Sequence, residues 1–140
     1  MPTIHHPIMA SIYLYGLGGW LILVILAIIN AIIRESVYGP YVTPFRAQQI
    51  SAVIFIIILF IFTIIFLKIL PIKATSRQYL FLGLFWLALT LVFEFLFGHY
   101  VIGNSWSELL AAYNLLRGQL WPLVLIATAF MPWIVSKING

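Results

Sequence analysis

The feature that most constrains this chain is an almost unbroken apolar run over residues 50–70. Isoleucine, phenylalanine and leucine fill the run, and only Ser51, Thr63 and Lys68 interrupt it. A helix needs about 20 such residues to cross the hydrocarbon core of a bilayer. Comparable apolar stretches lie at residues 8–33, 79–98 and 120–135. The pattern therefore predicts four transmembrane helices.

The overall composition supports the membrane class. The chain has 140 residues, of which 64% are hydrophobic and 7% are charged, whereas a soluble domain carries about 25% charged residues. It has no cysteine, which excludes disulfides and thiolate metal sites. The net charge is +4 without a basic run, so we expect membrane lipid, and not nucleic acid, as a partner.

We predict an all-α, integral membrane fold of one domain, with four transmembrane helices in two hairpins. The expected helices cover residues 8–33, 50–70, 79–98 and 105–137. Glycines 16, 18 and 19 in the first helix either allow another helix to approach closely or only loosen its first turns.

The last predicted helix has two interpretations. Ser105 and Glu108 have the spacing of a capping box, which predicts a helix start near residue 105. The favoured interpretation is one continuous or mildly kinked helix that protrudes from the membrane. In the alternative, an interfacial helix bends near Gly118 into a spanning helix that has Pro122 in its first turn.

Basic residues give a small orientation bias. Four lie on the side of the chain termini, namely Lys68, Lys73, Arg77 and Lys137. Three lie on the opposite side, namely Arg34, Arg46 and Arg117. Because cytoplasmic loops are enriched in Lys and Arg, we expect both termini in the cytoplasm. We expect the membrane to be a prokaryotic cytoplasmic membrane.

A short pattern occurs twice, at the end of the first helix of each predicted hairpin. Residues 35–41 and 94–100 both read Glu-x-(Val/Leu)-(Tyr/Phe)-Gly-x-Tyr. A tandem hairpin duplication about an axis along the membrane normal would produce this repetition. The alternative is a chance match in a chain that uses few residue types.

Glu94 is the sharpest candidate for a functional residue. It lies one turn inside the predicted end of its helix, where a carboxylate needs a partner within the protein. Arg34 is the expected partner and Arg117 the second choice, because the neighbouring residues Arg34 and Glu35 should point apart on a helix. We interpret Glu94 as half of an interhelical ion pair, with a transport or ligand-binding role as the alternative.

Other polar residues are expected to form a layer beside Glu94. His99, next to Tyr100, is interpreted as a hydrogen-bonded interfacial histidine, with a proton relay or metal ligand as the alternative. An outward polar pocket is one interpretation of several residues, and a solvated helix surface is the other. The pocket candidates are Gln48, Gln49, Glu108, Tyr113, Asn114 and Arg117.

The stretch over residues 98–121 has the pattern GHYxxGxSWxxLLxxYNxxRGxLW. It resembles a segment of small bacterial membrane proteins that have four helices and no assigned activity. The resemblance covers the last third of the chain and, more weakly, Arg34 and Glu35. It implies the same architecture and supplies no function.

The sequence thus predicts a non-catalytic membrane protein that acts by assembly, as a homo-oligomer or a small subunit of a larger membrane complex. The alternative is a small channel or transporter with a polar site around Glu94, Arg34 and Arg117. A membrane enzyme that uses Glu94 and His99 ranks third. We expect no catalytic residues, metal or cofactor. The one ligand class that the sequence suggests is bound lipid.

Overall fold

The structure is a computed structural model that describes residues 5–111 and 118–139. Its α-helices are α1 (His5–Ile33), α2 (Pro44–Ile69), α3 (Ser76–Leu96), α4 (Trp106–Ala111) and α5 (Trp121–Asn139). The described part of the chain contains no strand, and α1, α2, α3 and α5 are long and apolar enough to cross a membrane. The prediction of an all-α protein with four transmembrane helices is confirmed.

The four long helices form a ring in which each packs mainly against two others. Helix α1 contacts α2 and α3, and α5 contacts the same two helices. Two hydrogen bonds join α1 and α3, from Trp86 Nε1 to the Gly16 carbonyl (2.8 Å) and from Trp20 Nε1 to Thr90 Oγ1 (3.0 Å). The first bond joins residues 16 and 86, and the second joins residues 20 and 90. Because both numbers rise by four from one contact to the next, α1 and α3 run in the same direction.

This ring does not have the symmetry that the repeated sequence pattern suggests. A two-fold axis along the membrane normal would place α1 diagonally opposite α3, but the two helices are neighbours. Both copies of the pattern meet a π-helical turn, at Arg34–Tyr38 and at Phe97–Val101. The turns are out of register, because Tyr38 ends the first and its counterpart Phe97 begins the second. The division into two hairpins stays a prediction.

The middle of the bundle is closed by fully buried side chains. Ile12, Leu59, Leu82 and Trp86 have no exposed surface. Thr63 is equally buried, and its hydroxyl donates to the Leu59 carbonyl of its own helix (2.7 Å). This layer, called the core plug below, consists of these five residues.

Two glycines of α1 allow close helix packing. A methyl group at Gly16 would overlap Leu82 of α3, and one at Gly19 would overlap Phe66 of α2. Gly18 faces open space. The close-approach interpretation therefore holds for Gly16 and Gly19 and is wrong for Gly18.

Helix α2 begins six residues earlier than the apolar run that predicts it. The Thr43 side chain accepts a hydrogen bond from the Arg46 amide (3.2 Å), and Pro44 occupies the first helical position. These are standard signals of a helix start. Residues 46–49 are therefore the polar first turns of α2 and not a loop.

The prediction of a continuous last helix is wrong. Gly118 has a φ of +88°, a left-handed conformation that interrupts a right-handed helix. Phe45 and Gln49 lie against Gly118, where an added methyl group would overlap Phe45 and crowd Gln49. Helix α5 starts only at Trp121, with Pro122 in its first turn, so the alternative interpretation placed the break correctly.

We expect Gly83→Ala to destabilise the bundle, because a methyl group there would overlap the backbone carbonyl of Ala129. The helices α3 and α5 would have to move apart, at a cost of about 1–3 kcal/mol. Thermal unfolding in detergent measures the loss. Gly18→Ala is the matched control, since nothing lies within 4 Å of its added methyl. Equal unfolding temperatures for the two variants would contradict the packing.

Candidate functional site

A cavity of about 500 Å³ lies at the end of the bundle where α1 and α3 end and α2 and α5 begin. This end is called the polar end below. The polar residues that line the cavity are Asn30, Arg34, Gln48, Gln49, Ser51, Glu94, Asn104, Glu108 and Gln119. The larger apolar residues of the lining are Phe55, Phe93, Phe95, Phe97, Ile102, Leu109, Leu120 and Trp121. The cavity is therefore amphipathic.

Helices α1 and α2 supply one polar wall of the cavity. The buried Asn30 amide donates to the Ser51 carbonyl (3.1 Å) and to Ser51 Oγ (2.9 Å). Arg34 Nη1 also donates to Ser51 Oγ, at 3.3 Å. Ser51 thus holds the guanidinium end of Arg34 against the cavity wall.

Arg34 also forms an ion pair with its neighbour Glu35, with 3.0 Å between Nε and Oε1. The expectation that the two side chains point apart is wrong. They lie on a π-helical turn, which is wound more widely than an α-helix, and the Glu35 side chain is 73% exposed. The exposed carboxylate is free to fold back over the long arginine side chain, and a pair of this kind contributes only about 0–1 kcal/mol.

Helices α3 and α5 supply the facing wall. Trp121 Nε1 donates a hydrogen bond to Glu94 Oε2 (2.9 Å). The expected partner Arg34 pairs with Glu35 instead. Depth in the membrane suggested Arg34, but the rotation of α3 within the ring turns Glu94 towards the start of α5. The carboxylate of Glu94 is therefore anchored between α3 and α5.

The segment after α3 is held in place by stacking and backbone hydrogen bonds. The His99 ring stacks on Trp106, with 3.8 Å between ring centroids and 14° between planes. His99 Nδ1 lies 2.9 Å from the Asn104 carbonyl and donates to it, because a carbonyl oxygen only accepts. The interpretation of His99 as a hydrogen-bonded histidine is confirmed.

The capping box at the start of α4 is also confirmed. The Ser105 amide donates to Glu108 Oε1 (3.1 Å), and the Glu108 amide donates to Ser105 Oγ (3.2 Å). The hydrogen bond from the Ser105 amide, and then the one from its hydroxyl, hold the pKa of Glu108 below its ordinary value of 4.5. Glu108 is therefore charged at neutral pH beside the cavity mouth.

The structure brings together part of the predicted polar layer. Gln48, Gln49 and Glu108 line one cavity with Arg34 and Glu94. Glu35, His99 and Tyr100 do not line it. Tyr113, Asn114 and Arg117 lie outside the described residues. Three lining residues that sequence reasoning did not connect to the site are Asn30, Ser51 and Trp121.

Comparison with known proteins adds no assignment. No protein-family model matches the chain, and no curated protein or solved structure shows significant similarity to it. A function for this fold has to follow from the cavity and from the segments at the polar end.

We expect Trp121→Phe to destabilise the bundle, because it removes the indole donor from Glu94. A hydrogen bond to a charged group contributes about 1.5–3 kcal/mol, so the unfolding temperature in detergent should fall. Trp133→Phe is the matched control, since Trp133 lies exposed near the other end of α5. If both variants unfold at the wild-type temperature, Trp121 does not anchor Glu94.

We expect acid to loosen α4 selectively. A depressed carboxyl pKa means that the Glu108 cap stabilises the folded segment above pH 4.5 and that this contribution disappears as the pH falls through the lowered value. Hydrogen exchange of residues 105–111, corrected for intrinsic rates, measures the change. The neutral capping box of Thr75 and Gln78 at the start of α3 is an internal control. An equal response of both caps to pH would exclude this role of Glu108.

Proposed function

We propose that this chain is a non-catalytic membrane protein that acts by assembly, as a homo-oligomer or as a small subunit of a larger membrane complex. One observation carries the proposal. The turns that end the first and third candidate spans (Ser11–Tyr41 and Ser76–Val101), together with the segment after the third span, leave large apolar and aromatic side chains exposed at the polar end. These residues are Val37, Tyr41, Tyr100, Val101, Ile102, Trp106 and Leu110, and they are called the cap surface below.

The cap surface is supported by a firm backbone framework. The Ile102 amide bonds to the Phe97 carbonyl (3.0 Å) and the Asn104 amide to the Gly98 carbonyl (2.9 Å). Stacking of His99 on Trp106 adds a side-chain contact. A surface that is ordered before binding loses little conformational entropy when a partner docks. Exposed aromatic rings on such a framework favour an interface, since these rings are enriched at binding hot spots.

Transport is the second candidate, and the cavity with Arg34 and Glu94 favours it. A polar site between helices is how membrane transporters hold solutes. Two observations rank it lower. The cavity ends near Phe55, and beyond it the core plug leaves Leu59 and Trp86 fully buried. Conduction through one bundle would therefore require the core plug, which α1, α2 and α3 form, to open.

Native mass spectrometry of the protein, extracted gently from its own membrane, tests the proposal. A partner of fixed stoichiometry or a closed homo-oligomer is the expected result. A clean monomer under conditions that keep known complexes of the same membrane intact would refute assembly.

A substitution tests whether the cap surface is the interface. We expect Tyr100→Ala to weaken the complex, because it removes a ring that is 70% exposed, although its edge contacts with the rings of His99 and Trp106 are lost as well. Tyr15→Ala is the matched control, since Tyr15 is exposed on α1, away from the polar end. Equal complex yields for the two variants, compared by the same spectrometry, would exclude Tyr100 from the interface.

A further inference from the structure

We propose that the end of the bundle opposite the polar end is a docking surface for the headgroups of anionic phospholipids. Four cations with exposed side chains lie at this end, where α2 and α5 end and α3 begins, and they are called the basic rim below. They are Lys68, Lys73, Arg77 and Lys137. The proposal depends neither on the cavity nor on the assembly proposed above.

The basic rim has no acidic side chain beside it. The chain has three acidic residues. Glu35 lies on the π-helical turn that follows α1, and Glu94 and Glu108 line the cavity, so all three are at the polar end. In the part of the chain that the structure describes, none of the four cations pairs with a carboxylate. The positive charge of the rim therefore has no counter-ion among the described residues.

The connection between α2 and α3 holds part of the rim in a fixed position. Ile72 and Ala74 pack against the hydrophobic core, so the exposed Lys73 between them extends away from the bundle. Arg77 lies in the first turn of α3, whose start is fixed by a complete capping box. Cations that are ordered before binding lose little conformational entropy when an anion docks.

Helix α5 brings Lys137 to about the same depth as Arg77. The Ala129 carbonyl lies against Gly83, and Trp121 bonds to Glu94, so α3 and α5 run in opposite directions. From the contact of Gly83 with Ala129, Arg77 lies six positions away along α3 and Lys137 lies eight positions away along α5. At 1.5 Å per residue, these distances are about 9 Å and about 12 Å. The rim thus spans neighbouring helices at one level.

The surroundings of the cations place them at the height of lipid headgroups. Ile69, next to Lys68, is 72% exposed, and Ile138, next to Lys137, is 61% exposed. The Lys137 ammonium lies 5.5 Å from the centre of the Trp133 ring, and tryptophan is enriched at the boundary between hydrocarbon and water. Long basic side chains lie along such apolar surface and extend their charge to the headgroups.

These features favour a lipid over a soluble acidic protein. The connection between α2 and α3, residues 70–75, is short and packed against the bundle, so it offers little surface above the membrane. Clusters of four or more Lys and Arg residues beside membrane spans attract anionic lipids. A phosphate group also accepts charge-assisted hydrogen bonds from ammonium and guanidinium groups. A zwitterionic lipid carries its own cation, which offsets this attraction.

Native mass spectrometry of the full chain, delipidated in a neutral detergent, tests the docking surface. The probes are phosphatidylglycerol, phosphatidylcholine and the soluble glycerol phosphate. We expect phosphatidylglycerol to bind with about tenfold preference over phosphatidylcholine, about 1.4 kcal/mol. Glycerol phosphate should bind more weakly than phosphatidylglycerol, because it has no acyl chains to contact the exposed isoleucines.

Variants assign the preference to the basic rim. Arg77→Gln should reduce it about threefold or more, because one cation of the rim is lost. Arg46→Gln is the matched control, since Arg46 is also an exposed arginine in the first turn of a spanning helix but lies at the polar end. Lys73→Gln should reduce the preference, and Lys73→Arg, which keeps the charge, should retain it.

Three results would overturn the proposal. They are equal binding of the two lipids, an equal loss of preference in Arg46→Gln and Arg77→Gln, or equal losses in Lys73→Arg and Lys73→Gln. If glycerol phosphate binds as strongly as phosphatidylglycerol, a soluble phosphate and not a lipid is the ligand, and the proposal is wrong. Bound lipid is counted per protomer, so these outcomes are distinct from a failure of the assembly proposal.

Discussion

Polar groups that lie between the helices have to find partners inside the protein, and this requirement determines how the bundle is put together. Lipid chains are as apolar as leucine, so burial of apolar surface alone does not hold membrane helices together. In this bundle, hydrogen bonds between helices supply part of the stabilisation that burial of apolar surface does not provide. Asn30 joins α1 to α2, Trp20 and Trp86 join α1 to α3, and Trp121 joins α5 to α3. Three of these four donors are indole groups.

These hydrogen bonds divide the bundle into two unlike halves. Towards the start of α3, glycines at 16, 19 and 83 bring the helices together around the core plug. Towards the polar end, Asn30 with Ser51 and Trp121 with Glu94 hold each pair of helices, and the described residues there surround a cavity of about 500 Å³. A closed half and an open half result. This asymmetry favours binding at one end of the molecule over passage through it.

Much of the fold follows from local sequence signals. Four long apolar stretches predict four spans, and the spacing of Ser105 and Glu108 predicts a helix start, because both signals depend only on residues near each other in the chain. Hydropathy does not locate the start of α2, because the helix-start signals of Thr43 and Pro44 begin the helix before the polar residues 46–49. Hydropathy marks the membrane core and not the helix end.

The site was less predictable because it depends on helix rotation. The sequence predicts how deep Glu94 lies in the membrane, but it does not predict which face of α3 meets α5. That rotation places Glu94 beside Trp121, while Arg34 pairs with Glu35. The break at Gly118 likewise depends on Phe45 and Gln49 of another helix. A glycine in the sequence is compatible with either a kinked helix or a stop, and only the packing distinguishes the two.

Cysteine accessibility tests the central claim, a polar cavity closed by the core plug, most directly. The chain has no native cysteine, so any labelling by a thiol reagent reports the substituted position alone. Ala52 lines the cavity, and Thr63, about three turns further along α2, has no exposed surface. A small, membrane-impermeant thiol reagent should modify Ala52→Cys from one side of the membrane and leave Thr63→Cys unmodified from both sides. Equal modification of the two positions would contradict the closed middle of the bundle.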